Sequence, residues 1–176
     1  MVFQHFGLFP WKTVEQNIGF GLEMAGLDRA EVLERVARQV DMVGLGGFEK
    51  ALPYQLSGGM QQRVGLARAL VVEPDVLLMD EPFGSLDALT RELLQDQLLR
   101  IWETRPRTML FITHSIEEAI ALGDRVVVLG PRPARVRTVV SVDIPRPRTV
   151  AGVIAHPSFL ELRDRCWTLL RDAEAA

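Results

Sequence analysis

Apolar residues recur every three or four positions in several stretches of the chain, the spacing expected of helices with one buried face. These stretches run from about Val14 to Leu45, from Ser57 to Val71, from Leu86 to about Arg105, from near Ser115, and from His156 to about Ala173. Gly26 interrupts the first stretch, which is therefore predicted to form two helices. Asp28 is the predicted N-cap of the second of these two helices.

Short runs of apolar and β-branched residues between the helices predict strands. They cover Met1–Gln4, Val76–Met79, Thr108–Thr113, Arg125–Leu129 and Val136–Ile144. Prolines on both sides of the last run, at Pro131, Pro133, Pro145 and Pro147, are typical of an edge hairpin on a sheet. Helices and strands that alternate in this order predict an α/β fold with a mostly parallel sheet, in which the run 76–79 is buried.

The helix from Leu86 to Arg105 is amphipathic, and its apolar positions predict the face that it buries. The predicted buried stripe consists of Leu89, Leu93, Leu94, Leu98, Ile101 and Trp102. Pro106 is predicted to end this helix, because proline lacks the N–H group that would continue it.

Two adjacent carboxylates, Asp80 and Glu81, follow the strand at 76–79 directly. Carboxylates at the carboxyl end of a buried strand are costly to desolvate, so a bound cation is the natural inference. Mg²⁺ fits best, because it takes oxygen ligands and is usually bound by protein carboxylates and substrate phosphates together. Asp80 would bind the metal ion, and Glu81 would orient or deprotonate an attacking water. The alternative is a strand that ends in a solvated acidic turn.

The composition excludes several classes of protein. Of the 176 residues 48% are hydrophobic, and the net charge of −3 leaves no broad cationic face, so nucleic acid is not expected as the main partner. Cys166 is the one cysteine, which suits a reducing cytoplasm, and it is predicted to pack inside the closing helix. No apolar run approaches the ~18 residues of a membrane span.

The stretch Leu56-Ser57-Gly58-Gly59-Met60-Gln61-Gln62-Arg63 is the most specific in the sequence. A serine and two glycines at a helix start leave backbone N–H groups open to a phosphate, although such a group is usually only a cap. Together with the pair Asp80-Glu81 that follows, the octet resembles the signature and Walker B segments of the ATP-binding cassette ATPases. The resemblance implies a P-loop NTPase-type α/β fold with a helical signature subdomain, ATP as substrate and Mg²⁺ as cofactor.

The same resemblance implies roles for individual residues. Gln4 matches the Q-loop glutamine, which touches Mg²⁺ or the attacking water; without this context it would be an ordinary surface residue. Ser57, Gly58, Gly59 and Gln61 fall in the signature, which covers the γ-phosphate of ATP held by the opposite subunit.

Further matches concern the catalytic segment. Asp80 matches the magnesium aspartate, Glu81 the general base, and Asp87 the D-loop acid at the dimer seam. His114, at the end of a strand, matches the switch histidine that contacts the γ-phosphate; an isolated histidine would more often be a satisfied polar group.

Finer features resemble importer ATPases of the nitrate, sulfonate and taurine group. They are Leu8–Trp11, Asp80–Arg91, the Pro-Arg-Pro hairpin and Pro157–Arg163. The resemblance implies a dimer with a second ATP-binding subunit, a transmembrane permease that docks at Phe6–Trp11, and an extracytoplasmic solute-binding protein reached through that permease. It also implies a cytoplasmic location on the inner face of the membrane. Phe9 and Trp11 have an alternative interpretation as core residues.

One departure concerns the P-loop, Gly-x-x-x-x-Gly-Lys-Ser/Thr, for which Gly44–Lys50 has the wrong spacing. We therefore expect a partial ATPase domain, truncated before the Q-loop and lacking the N-terminal strands and P-loop, which by itself is not expected to hydrolyse ATP. Its expected parts are a helical subdomain at about 5–73, a catalytic core at about 74–130, and a C-terminal hairpin and helix at 131–176. Alternative hypotheses are a catalytically inactive fragment or docking subunit and, less favoured, a chromosome-maintenance ATPase, whose long coiled-coil insertion has no counterpart here.

Overall fold

The computed structural model describes residues 1–4, 7–131 and 133–174. They form two compact units, residues 1–112 and residues 113–176. Among the described residues, no helix has both the length and the apolar character needed to cross a bilayer.

Three helices form the first part of the first unit: α1 (Val14–Met24), α2 (Arg29–Met42) and α3 (Gly58–Leu70). Their apolar faces share one core, made of Val14, Ile18, Leu22, Val32, Val36, Val40, Val43, Leu45, Leu56, Val64, Ala67 and Val71. Asp28 caps α2, as predicted, by accepting a hydrogen bond from the N–H of Ala30 at 2.9 Å. Gly26, with φ +77°, makes the turn between α1 and α2.

Two parallel strands follow, β1 (Val76–Asp80) and β2 (Thr108–Ile112), with Val76 opposite Thr108 and Asp80 opposite Ile112. Val2 extends this arrangement on the other side of β1, where it forms a parallel bridge with Met79. The predicted parallel pairing is confirmed. The prediction that the run 76–79 is wholly buried is wrong, because Leu77 and Met79 are buried whereas Val76 and Leu78 on the opposite face are 52% and 40% exposed.

The long helix α4 (Ala88–Thr104) connects β1 to β2. Its buried residues are Leu94, Gln95, Leu98 and Leu99. The prediction is therefore correct for Leu94 and Leu98 and wrong for Leu89 and Leu93, which are 70% and 51% exposed. The buried face is centred between the Leu94–Leu98 row and the Gln95–Leu99 row, so the two exposed leucines lie beyond its edge.

The second unit contains α5 (Ile116–Leu122), β3 (Arg125–Leu129), β4 (Val136–Ser141), α6 (Val150–Ile154) and α7 (Phe159–Glu174). β3 and β4 pair antiparallel, which confirms the predicted hairpin, although β4 ends before Ile144 and Arg132 lies outside the described residues. The core consists of Ile120, Ala121, Val142, Ile144, Val150, Val153 and Phe159. Cys166 is buried on α7 as predicted, and this burial raises the pKa of its thiol.

Helix α6 was not predicted, because its five residues are too few to show a helical period. The buried side chain of Arg148 precedes it and holds the chain in place. Its guanidinium donates hydrogen bonds to the carbonyl oxygens of Gly123, Val142 and Ile144. Burial lowers the pKa of Arg148, and the nearby Arg146 acts in the same direction.

Candidate functional site

Asp80 and Glu81 lie at the carboxyl end of β1, where backbone hydrogen bonds hold them from both sides. The N–H of Asp80 donates to Val2 O at 3.0 Å, and the N–H of Glu81 donates to Ile112 O at 2.9 Å. Glu81 has φ +42°, a left-handed conformation that is uncommon for a residue other than glycine. The chain thus leaves the strand at Glu81 in a tight turn, which the N–H of Gly84 closes by donating to Glu81 O at 3.2 Å.

Gln4 and Glu81 are in direct contact. Gln4 Nε2 donates a hydrogen bond to Glu81 Oε2 at 3.0 Å. The parallel bridge between Val2 and Met79 explains this contact, because two residues further along each segment place Gln4 beside Glu81. Gly84 lies against the same pair: a Cβ there would be 3.7 Å from Glu81 Oε2 and 3.9 Å from Gln4 Nε2.

The loop after Glu81 is fixed by Arg91, a residue for which the sequence indicated no role. Arg91 Nε donates to Phe83 O at 3.3 Å and Arg91 Nη2 donates to Leu86 O at 2.9 Å. Phe83 is buried, and its ring lies 5.8 Å from that of Phe111 on β2. In the sequence, this role is indicated only by the position of Arg91, which lies one helical turn beyond Asp87 at the start of α4.

Asp87 caps α4. Its Oδ1 accepts a hydrogen bond from the N–H of Thr90 at 3.0 Å. Hydrogen bonds from the backbone and side chain of Thr90 lower the pKa of Asp87, which is solvent-exposed. The carboxylate is therefore held at the start of α4 in a defined position.

Ser57 caps α3 in the same way, with Oγ accepting from the N–H of Met60 at 3.3 Å. Gly58 and Gly59 form the first turn of α3, where Gly58 is exposed and Gly59 is half-buried. Gln61 Nε2 donates to Pro53 O at 3.0 Å and to Leu56 O at 3.2 Å, so it holds the segment that leads into the helix.

His114 belongs to the second unit and is exposed at the residue before the Ser115 cap of α5. The first unit, by itself, places Asp80 and Glu81 at the end of β1 with Gln4 hydrogen-bonded to Glu81, and it places residues 57–59 at the start of α3.

The segment 7–13, which follows Gln4, is held by a buried residue that sequence reasoning missed. Asn17 on α1 accepts from the N–H of Phe9 at 2.8 Å through Oδ1. Its Nδ2 donates to the carbonyl oxygens of Phe9, Lys12 and Thr13 at 3.1, 2.9 and 3.0 Å. The available signal was a polar residue on the apolar face of α1, beside Ile18.

Aromatic and cationic side chains surround the same segment. The Phe9 ring lies 4.6 Å from that of Phe20 and 5.8 Å from that of Trp11. Arg68 stacks over Phe9 and donates from Nη1 to Gly7 O at 2.9 Å. Trp11 is 72% exposed, so the alternative interpretation as a core residue is wrong for it, whereas Phe9 is half-buried. Phe6, predicted to belong to this docking region, lies outside the described residues.

The sequence is similar to known proteins over nearly its whole length. The family model described as "ABC transporter" matches residues 1–84. A taurine import ATP-binding protein of Rhizobium johnstonii is 48% identical over 178 residues, which cover 99% of this chain and 68% of the relative. The chain belongs to the ABC transporter ATP-binding family.

Two further comparisons support the assignment to the ABC family. A nitrate import ATP-binding protein of Synechocystis is 43% identical over 180 residues, covering 99% of this chain and 67% of that protein. An uncharacterized ABC transporter ATP-binding protein of Methanocaldococcus jannaschii is 49% identical over 172 residues, which cover 98% of this chain and 63% of that protein. This chain thus spans less than two thirds of that relative's length.

A solved structure agrees with the predicted α/β fold of the ABC ATPases, which is thereby confirmed. It is an ATP-binding cassette in a dimeric post-hydrolysis state bound to ADP and Pi. The TM-score is 0.69 at 32% identity, covering 82% of this chain and 62% of the other.

The donor set at the end of β1 in this ABC chain fits the implied Mg²⁺. Asp80 would supply a carboxylate oxygen, and the side-chain amide of Gln4, whose Nε2 is bonded to Glu81, would supply another hard oxygen at the same end of the strand. Mg²⁺ is usually held by one or two carboxylates together with substrate phosphates and waters. Residues 1–4, 7–131 and 133–174 contain no group of three or more His, Cys, Asp and Glu that would hold a metal alone, which Mg²⁺ of this type does not require.

Proposed function

We propose that this chain is the ATP-hydrolysing subunit of an ABC importer that takes up a small anion such as nitrate, a sulfonate or taurine. The observation that carries the proposal is the 3.0 Å hydrogen bond from Gln4 to Glu81, because it joins the Q-loop glutamine to the general base expected of the family. The names of the taurine and nitrate import relatives support the anion class.

In the proposed reaction Glu81 accepts a proton from water as the water oxygen attacks the γ-phosphorus in line. The new P–O bond forms as the bond to the β,γ-bridging oxygen breaks, and ADP leaves with that electron pair. Gln4 orients Glu81 and the water through its amide. Asp80 would hold Mg²⁺, which when bound neutralises phosphate charge.

The remaining matched residues have proposed roles in a dimer of two ATP-binding subunits. The first turn of α3 offers the backbone N–H groups of Gly58 and Gly59 to the γ-phosphate held by the other subunit, with Ser57 and Gln61 shaping the turn. His114 would donate to a γ-phosphate oxygen within its own subunit. Asp87 would lie at the seam between the two subunits.

The partner proposed for segment 7–13 is the transmembrane permease. Trp11 is exposed in a segment whose backbone Asn17 binds on both sides, and Trp is enriched among the residues that contribute most to protein interfaces. The subunit would thus lie peripherally on the inner face of the membrane. Contact with an extracytoplasmic solute-binding protein would be indirect.

The test is hydrolysis by a chimera in which residues 1–176 replace the matching segment of the taurine import ATP-binding protein of Rhizobium johnstonii. Glu81→Gln is expected to lower kcat at least about 100-fold while ATP binding persists, because only the proton acceptor is lost. Glu92→Gln, an exposed substitution on α4, is the matched control and should leave hydrolysis unchanged. Equal effects of the two substitutions would contradict the role of Glu81.

The alternative is a subunit that docks on the permease without hydrolysing ATP. It predicts that the chimera joins the permease of the Rhizobium system while its hydrolysis is no greater than that of the Glu81→Gln variant. Measuring assembly and hydrolysis separately therefore distinguishes the two proposals.

A further inference from the structure

Gly59 at the start of α3 lies directly against Thr90 at the start of α4. A Cβ atom at position 59 would be 2.5 Å from Thr90 Cγ2, a distance that real Cβ atoms essentially never show. Gly59 is an ordinary helical residue of α3, so its backbone conformation alone does not demand glycine. The contact with Thr90 is therefore a physical reason, independent of any ligand, for the missing side chain.

Thr90 also contacts Asp87 through different atoms. Its backbone N–H donates to Asp87 Oδ1 at 3.0 Å, and its hydroxyl lies near enough to the same carboxylate to help lower the pKa of Asp87. One face of Thr90 thus holds the Asp87 cap while its methyl group fills the space left by Gly59. A displacement of either segment would open a gap at this methyl group or press it into the backbone of α3.

We propose that Thr90 is a positioning residue that makes the turn 57–59 and the Asp87 cap move as one body. Under the proposed function, on which this functional consequence rests, the two segments face the nucleotide and the partner subunit across the dimer seam. Thr90 then keeps the phosphate seat and the seam acid in one register. The packing and hydrogen bonds themselves do not depend on ATP.

The first test measures thermal unfolding of the full chain with Gly59→Ala, Thr90→Ser and both together. In an open helical position Gly→Ala stabilises. Here Gly59→Ala is expected to lower the melting temperature by on the order of 5 °C, because the added methyl group collides with Thr90. Thr90→Ser removes that colliding methyl group and keeps the hydroxyl, so the double variant should recover more than half of the loss.

Gly58→Ala is the matched control, since it adds the same methyl group at the neighbouring exposed position. Thr90→Ser should not rescue any effect of Gly58→Ala. The proposal is overturned if Gly59→Ala alone raises the melting temperature, or if Thr90→Ser fails to rescue it.

The second test measures coupling by hydrogen exchange in the full chain. Asp87→Ala removes the cap of α4, and it should speed exchange of the hydrogen-bonded amides of Met60 and Gln61 by at least about threefold through Thr90. Asp28→Ala removes the equivalent cap of α2 and should leave these two amides unchanged. Faster exchange confined to the start of α4 in Asp87→Ala would contradict the coupling.

Neither test needs nucleotide, so its outcome is separate from that of the hydrolysis assay. If rescue and coupling are observed while the unsubstituted chimera does not hydrolyse ATP, the proposed function fails and the positioning role of Thr90 stands. If the chimera hydrolyses ATP and Thr90→Ser does not rescue Gly59→Ala, the reverse holds.

Discussion

Gln4 Nε2 donates a hydrogen bond to Glu81 Oε2 at 3.0 Å, although the two residues are 77 positions apart in the sequence. The contact depends on a single parallel bridge between Val2 and Met79, which sets the register of the two segments. The backbone of Glu81 is also fixed: it has a left-handed conformation, and its N–H donates a hydrogen bond to Ile112 O. The side chain proposed as the base is thus oriented from the N-terminal segment, from β1 and from β2.

We expect Gln4→Ala to lower kcat of the chimera by about 10- to 100-fold, because the carboxylate of Glu81 loses the donor that orients it. The KM for ATP should change little, since the amide acts on the water rather than on the nucleotide. Steady-state hydrolysis measures both. Gln16→Ala, at an exposed position, is the control, and a change in KM without a change in kcat would contradict the orienting role.

Roles across the proposed dimer predict complementation. Chimeras carrying Glu81→Gln or Ser57→Arg should each be inactive, because one loses the base and the other blocks the phosphate seat. In the mixed dimer one site carries both defects and the other carries neither. Random mixing should therefore restore about a quarter of the unsubstituted activity.

The complementation experiment measures hydrolysis as the two variants are titrated against each other. Mixing a variant with more of itself is the control for concentration. Absence of any recovery, with mixed dimers demonstrated by differential tagging, would mean that base and signature act within one subunit.

Asn17→Ala should lower the free energy of unfolding by about 3 kcal/mol, because the backbone groups that Asn17 contacts in segment 9–13 lose their buried partner. Urea denaturation of the chain measures the change. Gln16→Ala is the neighbouring control and should cost only about 1 kcal/mol through the loss of the capping box with Thr13. Similar costs for the two substitutions would contradict the proposed role of Asn17.

The lowered pKa of Asp87 predicts a pH dependence. A carboxylate whose pKa is lower in the folded state stabilises above its unfolded pKa, about 3.9, and loses this contribution as pH falls through the folded value. Asp87→Ala should therefore lower the melting temperature at pH 7, and the difference from the unsubstituted chain should shrink below about pH 4.

The comparison for this prediction is Asp87→Asn, which keeps a capping oxygen without the charge. Its melting temperature should differ from that of the unsubstituted chain by an amount that also falls at low pH, but from a smaller starting value. A difference for Asp87→Ala that stays constant from pH 7 to pH 3 would contradict a role for the ionised cap.

Local features of the sequence were sufficient for much of this protein. Apolar spacing and capping residues predicted the helices that begin after Asp28, Ser57 and Ser115, because a cap and a helical period are set by residues a few positions apart. The octet at 56–63 with the carboxylates 80 and 81 was sufficient for the ABC family, which the comparisons confirm.

Contacts between distant segments were decided by the tertiary structure. The exposure of Leu89 and Leu93 depends on how α4 rotates against its neighbours, which its own apolar pattern does not determine. The Gln4–Glu81 hydrogen bond and the contact of Gly59 with Thr90 depend on strand register and helix packing. Each joins residues far apart in sequence, so only the folded chain brings them into contact.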